Sequence, residues 1–318
     1  MIVALAGGVG AAKFLRGLIE VIPPQELTVI SNTGDDIELF GLHISPDIDI
    51  VAYTLSGLVD EERGWGIRGD TFNSLDMLRR YGEATWFNLG DRDLATHVLR
   101  TQRLRAGHGL AAVTAELCTA LGVTSRILPM CEQPVPSLVR TPAGLFHFQE
   151  YLVQRGGQEE VVDVLYQDSE YATPAPGVVE AIAQAEAILI CPSNPIISIG
   201  TMLAVPGIRE ALQHSPAPVV AISPIIQGAT LKGPADTMLR GLGFEVSAAG
   251  VARYYERLLD GFVIDTLDAA LQARIGEQVA HVDVTNTIMR TLDDKVALAR
   301  TALALVRTCT RDIRCHSR

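Results

Sequence analysis

Asp35, Asp36, Asp47 and Asp49 stand close together just after an apolar run, LTVIS, that reads as a strand. Carboxylates gathered in this way suit a hard divalent cation. Upstream, the apolar run IVALA ends in Gly7-Gly8-Val9-Gly10, and AAKFLRGLIEVI then carries Phe14, Leu15, Leu18 and Val21 at helical spacing. Glycines there let the backbone turn sharply and approach a bound group, and the helix start offers free amide N–H groups and a positive dipole end. Lys13 falls in the first turns of that helix, where a cation is disfavoured unless a bound anion compensates. A phosphate cradle beside metal-binding acids points to chemistry at phosphorus. That chemistry needs an oxygen nucleophile placed in line, developing charge neutralised, and a seat for the leaving phosphate.

Each motif also has a plainer reading. Gly8-Val9-Gly10-Ala11-Ala12-Lys13 approaches G-x-G-x-x-G but has lysine at the third glycine, and it lacks the spacing of a Walker loop. A nicotinamide enzyme wants one acid after its second strand, whereas four stand here. Asp47 and Asp49 also suit a helix cap and first turn. In the loop Asn88-Leu89-Gly90-Asp91-Arg92-Asp93 simple capping by Asp91 or Asp93 is the plain reading, and Trp65 in RGWGIRGDT could be a packing residue. No G-x-S-x-G is present, and Ser193 lies between prolines rather than in a nucleophile elbow. The histidines show no paired ligand spacing, His147 alternates with Phe146 and Phe148 as a strand residue would, and no two cysteines form C-x-x-C.

These residues need strands and helices to place them. Apolar runs ending at Ala6, Ser31, Cys191 and Ser223 are each followed by a polar, glycine- or proline-marked loop, and in open parallel sheets ligands sit beyond such strand ends. The expected fold is a Rossmann-like, doubly wound, mainly parallel α/β sheet forming a single domain over residues 1–318. A helical insertion is expected at about 58–122 and a small β-rich insertion at about 124–175, the latter including SRILPM, LFHFQEYLV and VVDVLY. IELFGLHISPDID reads as a polar loop entering a helix, and the loops after Cys191 and Ser223 carry Ser193, Asn194 and Lys232. FEVSAAGVARYYERLLDGFVIDTLD alternates strand and helix, HVDVTN is a late strand, a last helix spans about 294–306, and RTCTRDIRCHSR reads as a frayed end.

The chain has 318 residues, 48% hydrophobic and 20% charged, enough for a sizeable core. A formal charge of −11 argues against a nucleic-acid polymer as partner but leaves room for a small anion where basic groups gather. No apolar stretch is long enough to span a bilayer, so a cytoplasmic protein without a membrane partner is expected. An isologous homodimer suits an enzyme of this size.

LAGGVGAAKFLRGL, NTGDD, HISPDIDIVAYTL, GWGIRGDTF, LGDRDLATHVLRTQRLRAG, PSNPIISIG, SPIIQG, KGPAD and AAGVARYY, in this order and nearly end to end, resemble the 2-phospho-L-lactate transferase family of coenzyme F420 biosynthesis. The resemblance implies a Mg2+-dependent enzyme that moves a phosphorylated three-carbon acid, 2-phospholactyl or phosphoenolpyruvyl, from its guanosine diphosphate adduct. The acceptor would be the ribityl hydroxyl of the deazaflavin Fo (7,8-didemethyl-8-hydroxy-5-deazariboflavin), and GMP would leave. It further implies a nucleotide and phosphate role for Gly7, Gly8, Gly10, Lys13, Ser193 and Asn194, with Asp35 holding the metal and Asp36 assisting. Asp49 and Arg92 would contact Fo, and the loop with Trp65, Arg68, Asp70 and Thr71 would help enclose it; Asp49 is also the expected base. Two alternatives are a non-catalytic nucleotide-sugar sensor of the gluconeogenesis-factor-like family, which shares the glycine loop and an acidic turn, and a nicotinamide oxidoreductase.

Overall fold

Short strands that are apolar at every position require cover on both faces of their sheet. The computed structural model, which describes residues 1–309, supplies that cover. In chain order its strands are β1 (Ile2–Ala6), β2 (Leu27–Ser31), β3 (Ile37–Leu39), β4 (Leu42–Ile44), β5 (Arg126–Pro129), β6 (Ser137–Thr141), β7 (Gly144–His147), β8 (Asp163–Tyr166), β9 (Ala187–Ile190), β10 (Val219–Ile222), β11 (Ile225–Ile226), β12 (Ala229–Thr230), β13 (Gly261–Asp265) and β14 (His281–Thr285). Seven of them form one parallel sheet in the order β14-β13-β10-β9-β1-β2-β5. From β1 the chain winds outward through β2 to β5, then returns to β9 on the other side and winds away again. The switch point is therefore the gap between the ends of β1 and β9, where doubly wound sheets open a crevice.

Alternation along the strands builds two cores. Val3 and Leu5 of β1, and Val219 and Ala221 of β10, enter one; Ala4, Ala6, Val220 and Ile222 enter the other. The second core is closed by α1 (Gly8–Leu18), which packs on α2 (Pro46–Leu55) and on the C-terminal helix Leu292–Thr308. The first is closed by the helices Val178–Ala183, Ile208–His214 and Ala248–Tyr255. Among the described residues no single helix is long and apolar enough to cross a membrane.

Several local expectations are corrected. IELFGLHISPDID is not a plain loop: β3 and β4 form an antiparallel hairpin turned at Phe40 and Gly41, both at positive φ. The expected β-rich insertion at about 124–175 loses its first strand, because Arg126–Pro129 joins the central sheet as β5, pairing in parallel with Thr28–Ser31. What remains of it is the antiparallel sheet β7-β6-β8, and the strand expected through LFHFQEYLV stops at His147, with Glu150–Gln154 a π-helical turn. PIISIG, read as loop, is likewise π-helical from Pro195 to Gly200. FEV before Ser247 is not a strand but leads into the helix Ala248–Tyr255. Within 58–122 lie α3 (Asn73–Arg80), α4 (Asp91–Arg105) and α5 (Leu110–Ala120), with irregular chain before α3 and between α3 and α4. The tail RTCTRDIRCHSR lies outside the described residues from position 310 onward.

Candidate functional site

At the switch point a cavity of about 760 Å³ opens over the carboxyl ends of the central strands. Its floor is the glycine loop between β1 and α1, placed there by two tight constraints. Gly8 has φ +74°, a conformation that favours glycine, and its N–H donates to Asp47 Oδ1 at 2.8 Å. Gly10 lies so close to the loop after β9 that a Cβ would collide with the Pro192 carbonyl oxygen. The Gly7 N–H donates to Ser193 Oγ at 3.1 Å and so ties the β1 loop to the β9 loop. Gly10→Ala is expected to cost about 1–3 kcal/mol of stability by forcing the loops apart; a urea unfolding curve with an unchanged midpoint would contradict this.

Acids line one side. Asp35, Asp47 and Asp49 all border the cavity and are all buried. Asn32 Nδ2 donates to Asp35 Oδ1 and to Asp47 Oδ2, each at 3.0 Å, so one amide spans the two carboxylates. Gln149 Nε2 adds a longer contact of 3.4 Å to Asp35 Oδ2 and is steadied by its own N–H, which donates to His147 Nδ1 at 3.2 Å. Burial, then the Asp47 charge, pushes the Asp35 carboxyl well above its ordinary range. Burial likewise raises Asp47 to about 6, against the pull of Asn32 and the Gly8 N–H. Two buried acids that resist ionising together, with oxygens toward a cavity, fit a hard divalent cation: its charge would offset both burial and mutual repulsion.

Cations share the wall. Lys13, Lys232 and Arg290 border the cavity. Burial lowers the Lys13 pKa, and the charges of Lys232 and Lys295 lower it further. A bound anion would relieve that repulsion. The wall also carries the apolar side chains of Trp65, Phe87, Phe148, Leu152 and Val153.

The structure separates the remaining expected residues. Asp36 points away from its neighbour Asp35 and is absent from the cavity wall; its Oδ2 accepts from Ser45 Oγ at 2.8 Å and lies 2.9 Å from His43 Nε2, fixing the β3–β4 hairpin. Asn194 borders the cavity, but its Oδ1 caps the turn after it, accepting from the N–H groups of Ile196 and Ile197. Arg68, Asp70, Thr71 and Arg92 stand outside the wall. Arg68 Nη2 donates to the Gly57 carbonyl, and Thr71 Oγ1 donates to Asp91 Oδ2 at 2.6 Å. Asp70 accepts from the N–H groups of Arg92 and Asp93 at 2.8 and 3.0 Å, and Arg92 Nη1 donates back to the Arg68 carbonyl. These residues fasten the start of α4. That helix then turns Asp93 and His97, one turn apart, toward the cavity.

Sequence reasoning counted Asp47 among four acids suited to a metal but gave the ligand roles to Asp35 and Asp36, and it did not weigh Asp93 with His97, although the i,i+4 spacing of those two was readable. Asp49, Asp93 and His97 converge closely enough to suggest a second metal. The arrangement speaks against it: His97 turns Nε2 to Asp93 and Nδ1 to Asp49, so one ion could not use both sides, and the Arg100 guanidinium holds both Asp49 oxygens.

The family model described as 2-phospho-L-lactate transferase CofD matches residues 2–301. The chain belongs to the CofD family. Family membership makes it a transferase, and it answers both the sensor and the oxidoreductase alternatives. A phosphoenolpyruvate transferase of Streptomyces griseus is 46% identical over 310 residues, covering 96% of this chain and 98% of the relative. A 2-phospho-L-lactate transferase of Methanosarcina mazei is 39% identical, covering 93% and 97%. One from Methanocaldococcus jannaschii is 38% identical, covering 94% and 96%. A solved structure of a UPF0052-family protein from Bacillus halodurans superposes with a TM-score of 0.63 at 16% identity, covering 95% of this chain and 98% of that one, a likeness of fold.

Proposed function

We propose that this CofD-family chain acts in coenzyme F420 biosynthesis, moving a phosphorylated three-carbon acid from its guanosine diphosphate adduct to the terminal ribityl hydroxyl of Fo, with release of GMP. The observation that carries this reading is one cavity lined by the cations Lys13, Lys232 and Arg290, by the acids Asp35, Asp47 and Asp49, and by apolar side chains. The cations and the start of α1 seat the donor diphosphate and hold the leaving GMP. The apolar side chains, Trp65 among them, take the planar deazaflavin, with Asp49 contacting its ribityl chain. Asp35 and Asp47 would hold Mg2+, which supplies charge neutralisation at the transferring phosphorus. Asp47 takes the place expected of Asp36. As the oxygen–phosphorus bond to the acceptor forms, the bond to GMP breaks and the hydroxyl proton passes to Asp49, whose carboxylate Arg100 fixes in place.

Both a phosphoenolpyruvate transferase and phospholactate transferases stand among the relatives, so the two acids are the donors to test first. Incubation with Fo, Mg2+ and each guanosine adduct is expected to give a deazaflavin product heavier by the transferred group, read by mass spectrometry. No mass gain with any donor would overturn the reading; a shift in Fo fluorescence without turnover would leave Fo as a ligand but not as the acceptor.

A further inference from the structure

Among the buried side-chain groups of the described residues that line the cavity, His97 carries a donor with nothing to donate to. His97 is 1% exposed, on the face of α4 that meets α2. Its Nδ1 lies 3.3 Å from Arg100 Nη1. A guanidinium nitrogen only donates, so Nδ1 accepts and the ring proton sits on Nε2. That N–H is buried and has no hydrogen-bond partner among the described residues. The nearest carboxylate oxygen, Asp93 Oδ1, is 3.4 Å away and already accepts from the Tyr53 hydroxyl at 2.7 Å. Burial works to raise the Asp93 pKa, but its polar and charged neighbours together outweigh it and hold the carboxyl below its ordinary range, as an acceptor. Its other oxygen takes no side-chain donor among the described residues. Asp93 and His97 both border the cavity.

We propose that Asp93 and His97 form a subsite that reads one hydroxyl of the acceptor polyol. A hydroxyl is donor and acceptor at once, so a single one satisfies both the carboxylate and the imidazole N–H, where an alkyl carbon would leave both unpaired in a buried place. A carboxylate oxygen of Asp49, one of Asp93 and a ring nitrogen of His97 lie within 4.8 Å of one another, so this pair stands beside Asp49. It therefore reads a ribityl hydroxyl neighbouring the one that meets Asp49. Arg100, pinned by Asp49, fixes the His97 tautomer and is a positioning residue. This inference rests on the acceptor reading above and adds which groups select the polyol.

The test compares Fo with analogues that lack one ribityl hydroxyl, by fluorescence binding and by turnover, in the wild type and in His97→Leu, His97→Gln and Asp93→Asn. The wild type is expected to bind one deoxy analogue on the order of 100-fold more weakly than Fo. His97→Leu should raise the acceptor KM and Kd roughly 10- to 100-fold, leave the donor KM unchanged, and erase the preference for that hydroxyl. His97→Gln, which keeps a donor, should recover most of the loss. Wild-type enzyme that binds every deoxy analogue as well as Fo overturns the subsite even if no variant folds. A folded His97→Leu with unchanged acceptor KM, or with donor and acceptor KM raised equally, also overturns it. Fo that binds with the hydroxyl preference but is not turned over would overturn the reaction and support the subsite; Fo that does not bind overturns both.

Discussion

Asp47→Asn is expected to lower transfer on the order of 100- to 1,000-fold while leaving the protein about as stable as before. The loss of activity follows from removing one of two cavity carboxylates suited to the cation. The unchanged stability follows from two effects of similar size. Raising the Asp47 pKa from 3.8 to about 6 means that near neutral pH the fold bears a buried charge it resists, at about 1.36 kcal/mol per unit, hence about 3 kcal/mol in total. Asparagine removes that cost. It also presents one nitrogen where Asp47 offered two acceptors, so either the Gly8 N–H or Asn32 Nδ2 loses its partner, at about 1–3 kcal/mol. The sign can be checked by pH. Below about 4 the wild-type carboxyl is protonated in both folded and unfolded chains, and the substitution gains nothing. Between about 4 and 6 the unfolded chain ionises first, so the wild type loses stability relative to Asp47→Asn, and above 6 the difference is constant. Unfolding of the metal-free proteins at pH 4, 5, 6 and 7 reads this directly. A gap that shrinks as pH rises would show that Asp47 is stabilised as an anion without a metal, and the site would then not call for one.

The central sheet was legible because its strands are apolar at every position and end in glycine, proline or polar loops, a pattern that fits buried parallel strands. The glycine loop, Asp35 and Ser193 drew notice for the same reason, that they follow strand ends, whereas Asp49 lies in the first turn of α2 and drew notice through the acids near it and the family resemblance. Failures cluster where neighbouring residues differ in direction or partner. Asp35 and Asp36 are identical in type and adjacent, yet one faces the cavity and the other faces His43 and Ser45, a matter decided by the backbone turn rather than by composition. ILPM is as short and apolar as the strands of the small sheet that follows, so nothing local tells which sheet it joins. The β3–β4 hairpin turns on Phe40 at φ 53°, a residue with no turn preference, which hid it. Arg68, Asp70 and Thr71 drew notice as a rich loop, but their polar groups hold the start of α4; their contribution to the site is the placement of Asp93 and His97.

Lys13→Met is expected to reduce kcat/KM for the guanosine-linked donor on the order of 100-fold, with little change for the acceptor and none in the stability of the free enzyme. A lysine in the first turns of α1 opposes the helix dipole, and here burial and the like charges of Lys232 and Lys295 also press it toward its neutral form. In the free protein this ammonium therefore contributes nothing that methionine would forfeit. Once a diphosphate arrives each of those penalties reverses, because the anion pairs with Lys13 and offsets the repulsion from Lys232. The difference between the free and donor-bound states is what the substitution removes. The stabilisation that guanosine diphosphate confers in thermal unfolding should accordingly shrink in Lys13→Met, whereas that conferred by Fo should not. Lys232→Met should lose less, since Lys232 sits on an exposed loop where solvent screens its charge. Equal losses for the two lysines would mean that the phosphates lie toward the Thr230–Pro234 loop rather than against the start of α1, and the donor would have to be turned in the cavity to match.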